Sequence, residues 1–207
     1  MTENTNNHYN YKQIIASLEK KGIELYGNHF KILEADYPII CRLIAYFLQD
    51  EISCYQYGID LNKGLLLSGP IGSGKTTLMN LIKLIAKPDN KFSVKPCRVI
   101  RFEFIQDGYE VIHRYSKGKL YQSDTRTFCF DDLGTEKNLK YFGNECNVMA
   151  EILLSRYDLF ISKKLKTHIT TNLSASEIEK HYGNRVRSRL REMVNLIAYD
   201  KSTPDKR

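Results

Sequence analysis

A chain of 207 residues with 42% hydrophobic and 27% charged residues has the composition of one ordinary globular domain, which excludes wholesale disorder. Its net charge of +7 favours an anionic partner, and no apolar run approaches the length of a membrane span. Five scattered cysteines, Cys41, Cys54, Cys97, Cys129 and Cys146, form no CxxC pair and read as reduced thiols of a cytoplasmic protein.

Residues 1–10 are polar and Asn-rich, lack the apolar core of a secretion signal, and are expected to be disordered. Residues 11–56 read as a short helical N-terminal appendage. Tyr11 to Lys21 and Tyr37 to Glu51 are its expected helices, the second carrying Ile40, Ile44 and Leu48 at i, i+4 and i+8 beside Leu43 and Phe47. A turn-rich bridge, Tyr57 to Lys63, opens the main domain, residues 57–207. There, short apolar runs alternate with helical lengths: Gly64–Ser68, Cys97–Phe104, Thr127–Asp131, His168–Thr171 and Asn195–Tyr199. Strands alternating with helices predict parallel pairing and a sheet covered on both faces, an α/β sandwich.

The first of these strands runs into Gly69-Pro70-Ile71-Gly72-Ser73-Gly74-Lys75-Thr76-Thr77, which fits G-x-x-x-x-G-K-[ST] between a strand and a helix. Glycines let backbone amides turn inward around a β-phosphate at the positive end of a helix dipole. Lys75 is expected to neutralise β- and γ-oxygens, and the Thr76 hydroxyl to ligate Mg²⁺. Phe128-Cys129-Phe130-Asp131-Asp132-Leu133-Gly134 then places two carboxylates at the C-terminal end of a buried strand, where open α/β sheets bind ligands. Asp131 is the candidate for holding Mg²⁺ through water, and Asp132 for orienting or deprotonating an attacking water, with Glu136 as a weaker candidate to hold that water. His168-Ile169-Thr170-Thr171-Asn172 is a further strand, and Asn172 is expected to bond a γ-phosphate or the lytic water. His168 is expected to pack rather than catalyse.

Tyr182-Gly183-Asn184 is read as a turn into a helix bearing Arg185, Arg187, Arg189 and Arg191. Helical geometry pairs 185 with 189 on one face, and 187 with 191 on the roughly opposite one. Such a face can complete a neighbouring subunit's phosphate site, because a planar guanidinium spreads over phosphoryl oxygens. Residues 161–207 hold eleven bases against five acids, so most of the charge imbalance lies there. Arg114, Lys117, Lys119 and Arg126 interleave with Tyr115 and Tyr121, a pattern that suits single-stranded nucleic acid but equally a surface loop.

In order, GPIGSGKTT, FDDLG, SRYDLF, THITTN and YGNRVRSRL resemble the DnaC/IstB-type AAA+ ATPases, the bacterial helicase loaders and helper ATPases of insertion sequences, over about residues 57–199. The resemblance implies a P-loop three-layer αβα sandwich with a five-stranded parallel sheet in the order 5-1-4-3-2. It implies ATP hydrolysis with Mg²⁺, ATP-dependent self-association, and action on DNA, single-stranded or duplex, with a helicase, transposase or similar protein partner. It maps the magnesium aspartate onto Asp131, the catalytic acid onto Asp132, the γ-phosphate sensor onto Asn172 and an arginine finger acting in trans onto Arg189. Asp132 stands where a Glu is usual across AAA+ proteins, and a C-terminal lid is expected to be reduced or absent, with Asp205-Lys206-Arg207 its only echo. Two alternatives stay open from the residues: a P-loop kinase of small molecules or nucleotides, and a nucleotide-dependent adaptor with little turnover.

Overall fold

The computed structural model describes residues 9–116, 126–136, 139–141 and 144–206. Two helices open it, α1 (Tyr11–Tyr26) and α2 (Tyr37–Leu48), followed by the short α3 (Glu51–Gln56). The Asn10 side chain caps α1 by accepting from Gln13 N. The expected single helix to Glu51 ends early, because Gln49 turns into the left-handed region and Asp50 caps a new helix through Ser53 N.

The main sheet has five parallel strands: β1 (Gly64–Ser68), β2 (Ser93–Pro96), β3 (Phe128–Leu133), β6 (Thr167–Thr171) and β7 (Val194–Ala198). Their spatial order is β2-β3-β6-β1-β7. Counting only these strands along the chain, that is 5-1-4-3-2 read from the other edge, as expected. A separate antiparallel pair, β4 (Leu139–Tyr141) and β5 (Asn144–Cys146), lies between β3 and α7 (Val148–Lys163).

Alternation along the buried strands splits the interior into two cores. Leu65 and Leu67 point to one face, where Ile15 and Leu18 of α1, Leu43, Ile44 and Phe47 of α2, and Leu78, Met79 and Ile82 of α4 (Lys75–Ile82) pack. Leu66, Phe130 and Ile169 point to the other, against α5 (Cys97–Asp107), α6 (Glu110–Ser116), α7 and α8 (Ala175–Met193). The result is a three-layer αβα sandwich, with the helices of residues 11–56 built into one outer layer.

One expected strand is a helix. Cys97–Phe104 forms most of α5, and the strand is the preceding Ser93–Pro96. The run of apolar residues is misleading because its buried members, Cys97, Ile100 and Phe104, recur at i, i+3 and i+7, while Phe102 and Ile105 face outward. The arginine-bearing helix also starts earlier than expected, at a full capping box on Ser174 and Glu177. Gly183, at φ 86° and ψ 161°, breaks it where the turn was expected. Among the described residues no helix is long and apolar enough to cross a membrane.

Candidate functional site

The loop between β1 and α4 forms because Gly72 and Gly74 take positive φ values of 79° and 87°, which side chains resist. This turn aims the N-terminus of α4 into a cavity of about 630 Å³. Ile71 to Thr77 of the loop, Asp132 and Asn172 line it. Tyr26, Phe30, Ile32, Leu33 and Ile40 add apolar lining, with His29, Lys31 and Asp36 among them. The cavity therefore offers both apolar and cationic side chains to a ligand.

Lys75 is buried and turned back on its own loop. Its Nζ donates to the carbonyls of Gly69 at 2.9 Å and Pro70 at 2.7 Å, and to Asn172 Oδ1 at 2.6 Å. Burial pulls its pKa down, Asp132 and Asp131 oppose that pull, and Lys206 adds to it. An anion entering the cavity would meet a cation that is already desolvated.

β3 carries the acid pair through a bulge. Its register with β6 shifts between Phe130 and Leu133, and Asp132 sits at φ 55°, in the left-handed region. Thr170 bridges both acids: its hydroxyl donates to Asp131 Oδ1 at 2.7 Å and accepts from Asp132 N at 2.9 Å. Asp131 lies beneath the loop, where Thr76 Oγ1 is 2.9 and 3.0 Å from its two carboxylate oxygens. Burial raises the Asp131 pKa, and the Thr170 and Thr76 hydroxyls counter it. Asp132, by contrast, faces the cavity.

Thr76 and Asp131 supply only hard oxygen donors, which suits Mg²⁺, an ion whose remaining positions go to water and phosphate oxygens. Among the described residues no cluster of three or more His, Cys, Asp or Glu side chains offers a complete protein cage for a metal. The donor set thus fits a cation shared with a phosphate ligand better than one held by protein alone.

Lys75, Thr76, Asp131, Asp132 and Asn172 converge, whereas Arg189 does not join them. Its guanidinium lies 4.3 Å above the Tyr157 ring and donates to the Tyr157 hydroxyl at 3.0 Å, outside the cavity lining. Glu136 does not line the cavity that Asp132 faces. Both its carboxylate oxygens are engaged, one by Gly134 N and the other by the Tyr182 hydroxyl. His168 is fully buried among Tyr46, Phe47 and Phe92, its Nδ1 accepting from Leu65 N, as packing rather than catalysis requires. Of the residues considered for nucleic acid, Tyr115 is buried and bonded to Glu103, and Arg114 pairs with Glu103 and Asp107. Lys117, Lys119 and Tyr121 lie outside the described residues.

Three contributors escaped sequence reasoning. Thr170 left a signal: all five residues of β6 are buried, so its hydroxyls needed partners inside. Asp36, which lines the cavity, left none, and although Lys206 belongs to the Asp205-Lys206-Arg207 segment read as a lid echo, its pairing with Asp36 is made only by the fold.

No family model matches this sequence, and no curated protein does. Solved structures do resemble it. The DnaC helicase loader superposes with a TM-score of 0.55 at 18% identity, over 87% of this chain and 99% of that one. DnaI gives 0.55 at 19% identity, over 81% and 87%. AMPPCP-bound DnaA from Aquifex aeolicus gives 0.52 at 14% identity, over 83% of this chain and 48% of that one. At these identities the likeness establishes the fold alone, the three-layer αβα sandwich that these structures share.

Proposed function

We propose that this chain binds and hydrolyses ATP with Mg²⁺ in the cytoplasm, and that its nucleotide state governs self-association during DNA replication or mobile-element DNA transactions. The observation that carries the reading is that Lys75, Thr76, Asp132 and Asn172 line one cavity together with the apolar side chains of Tyr26, Phe30 and Ile32. The likeness to the DnaC helicase loader and to AMPPCP-bound DnaA supports it.

In this mechanism the base packs among Tyr26, Phe30 and Ile32, and the phosphates meet the amides at the start of α4. Lys75 exchanges the Gly69 and Pro70 carbonyls for phosphate oxygens. Thr76 and Asp131 would hold Mg²⁺, which when bound neutralises charge on the phosphates. Asp132 orients a water and takes its proton on a carboxylate oxygen, while Asn172, released by Lys75, bonds the γ-phosphate or that water. Arg189 leaves Tyr157 to reach the phosphates of a neighbouring copy, a contribution on the order of 10³–10⁵ in rate where such fingers operate. The basic surplus of residues 161–207 supplies the attraction for DNA.

ATPase activity measured against protein concentration, with and without single-stranded DNA, tests the reading. Rates per subunit should rise with concentration, and Lys75→Ala should weaken ATP binding by about tenfold or more. Full affinity and turnover in Lys75→Ala would sink the proposal. Phosphate transfer to an added acceptor faster than to water would make the protein a kinase instead.

A further inference from the structure

One partly buried hydrogen bond joins the turn after the acid pair to the helix that carries the arginines. Beyond Asp132 the chain passes Gly134, whose amide donates to Glu136 Oε2 at 3.1 Å. The other oxygen of Glu136 accepts from the Tyr182 hydroxyl, 46 residues away. Burial raises the pKa of Tyr182, so the phenol keeps the proton it donates. Neither Glu136 nor Tyr182 lines the nucleotide-sized cavity.

Tyr182 stands immediately before the break in α8. At Gly183 the space for a Cβ is open, with nothing within 4 Å, so the glycine is required by its φ of +86° rather than by crowding. Ile178 and Tyr182 are buried before the break, Val186 and Leu190 after it, and Asn147 Nδ2 steadies the break through His181 O at 2.8 Å. The segment after Gly183 bears Arg185, Arg187, Arg189 and Arg191. At the other end of the path Asp132 holds a left-handed backbone that a non-glycine residue adopts at a cost, its amide tied to Thr170. A strained residue, a three-residue turn and a hinged helix thus lie in one bonded series.

We propose that the Tyr182–Glu136 hydrogen bond is a positioning latch: the conformation of the turn after Asp131-Asp132 sets the angle of the arginine segment about Gly183. The proposal rests on the nucleotide reading of the cavity. A nucleotide that rearranges Asp132 shifts Gly134, Gly134 shifts Glu136, and Glu136 pulls Tyr182. The arginine segment then reaches its working pose only in the loaded state.

Hydrogen exchange on the full chain, with and without Mg²⁺–AMPPCP, tests the latch in wild type and in Tyr182→Phe, which removes only the hydroxyl. In the wild type, nucleotide should slow exchange both in the phosphate loop and across residues 184–193. In Tyr182→Phe the loop response should persist while the 184–193 response is lost. ATP affinity should stay within about twofold while turnover falls by about tenfold to a hundredfold, as misplacing a reacting group by an ångström does. Glu136→Ala should lower turnover equally, and the double variant no further. If the wild-type phosphate loop shows no response to AMPPCP, the nucleotide reading itself fails. A responding loop with no response at 184–193, or a 184–193 response that survives in Tyr182→Phe, overturns the latch alone. Additive losses in the double variant, with ATP affinity falling in parallel, would likewise overturn it as ordinary structural damage.

Discussion

Lys206 Nζ lies 2.7 Å from each carboxylate oxygen of Asp36, an ion pair spanning 170 residues across the outside of the phosphate loop. The same ammonium donates to Ser73 O at 2.9 Å, and the Lys206 amide donates to Gly72 O at 3.0 Å. The strap therefore grips the loop by the carbonyls of Gly72 and Ser73. Asp205 packs so closely on Gly72 that a Cβ there would lie 2.2 Å from its carboxylate. Lys206→Ala strands the buried Asp36 carboxylate and should cost about 2–4 kcal/mol of stability. ATP affinity should fall several-fold with it, and Lys206→Arg should recover most of both in thermal unfolding and nucleotide titration. Unchanged unfolding and affinity in Lys206→Ala would show the strap to be idle.

Thr170→Val preserves shape and removes a hydroxyl that serves both acids. Leaving Asp132 N and Asp131 with one partner fewer should cost about 1–3 kcal/mol. Turnover should fall more than ATP affinity, since the loop is untouched. The Thr170 hydroxyl holds down a pKa that burial raises, so its loss should move the acid limb of the pH–rate profile to higher pH. A profile that stays in place would show that Asp131 does not set that limb.

The chemistry of the site was legible where it is contiguous. A glycine loop ahead of a helix and two acids at the end of a strand announce themselves, because each needs neighbours in sequence. The bulge at Asp132, the strap from Lys206 and the Tyr182–Glu136 bond depend on what lies opposite in space, and no local pattern encodes that. Cys97–Phe104 misled for another reason: apolar residues on two sides of a helix mimic a buried strand when the outward ones, Phe102 and Ile105, stay exposed. The alternation of elements foretold a parallel sheet covered on both faces, whereas its strand order was implied only by the resemblance carried by the motifs.

Arg156, in the SRYDLF segment, is fully buried. Its guanidinium donates to Thr167 Oγ1 and to the carbonyls of Tyr115, Arg126 and Lys166, and it packs on the rings of Phe128 and Phe130. It thereby ties the end of α6, the entry to β3 and the entry to β6. Burial alone lowers its pKa to about 9. Arg156→Met would leave those acceptors without a donor and should destabilise the protein by about 3–5 kcal/mol, seen as a lower urea midpoint. Arg156→Lys, which keeps charge without the planar fork, should fall between.

His168 provides a pH test. Burial, reinforced by Lys166 and Arg156, lowers its pKa from 6.5 to about 3, so the folded state holds it neutral. The unfolded chain takes up a proton as pH falls below 6.5, and the folded chain does not until about 3. Its contribution to stability is therefore complete above 6.5 and drains away on acidification, by about 1.4 kcal/mol per pH unit at most. His168→Asn keeps an acceptor for Leu65 N, bonded now at 3.1 Å to Nδ1, and cannot titrate. Urea unfolding at a series of pH values between 7 and about 4 should show a shallower loss of stability in the variant than in the wild type. Parallel slopes would mean that His168 is protonated inside the fold, and that its environment of aromatic rings is more open to water than the packing shows.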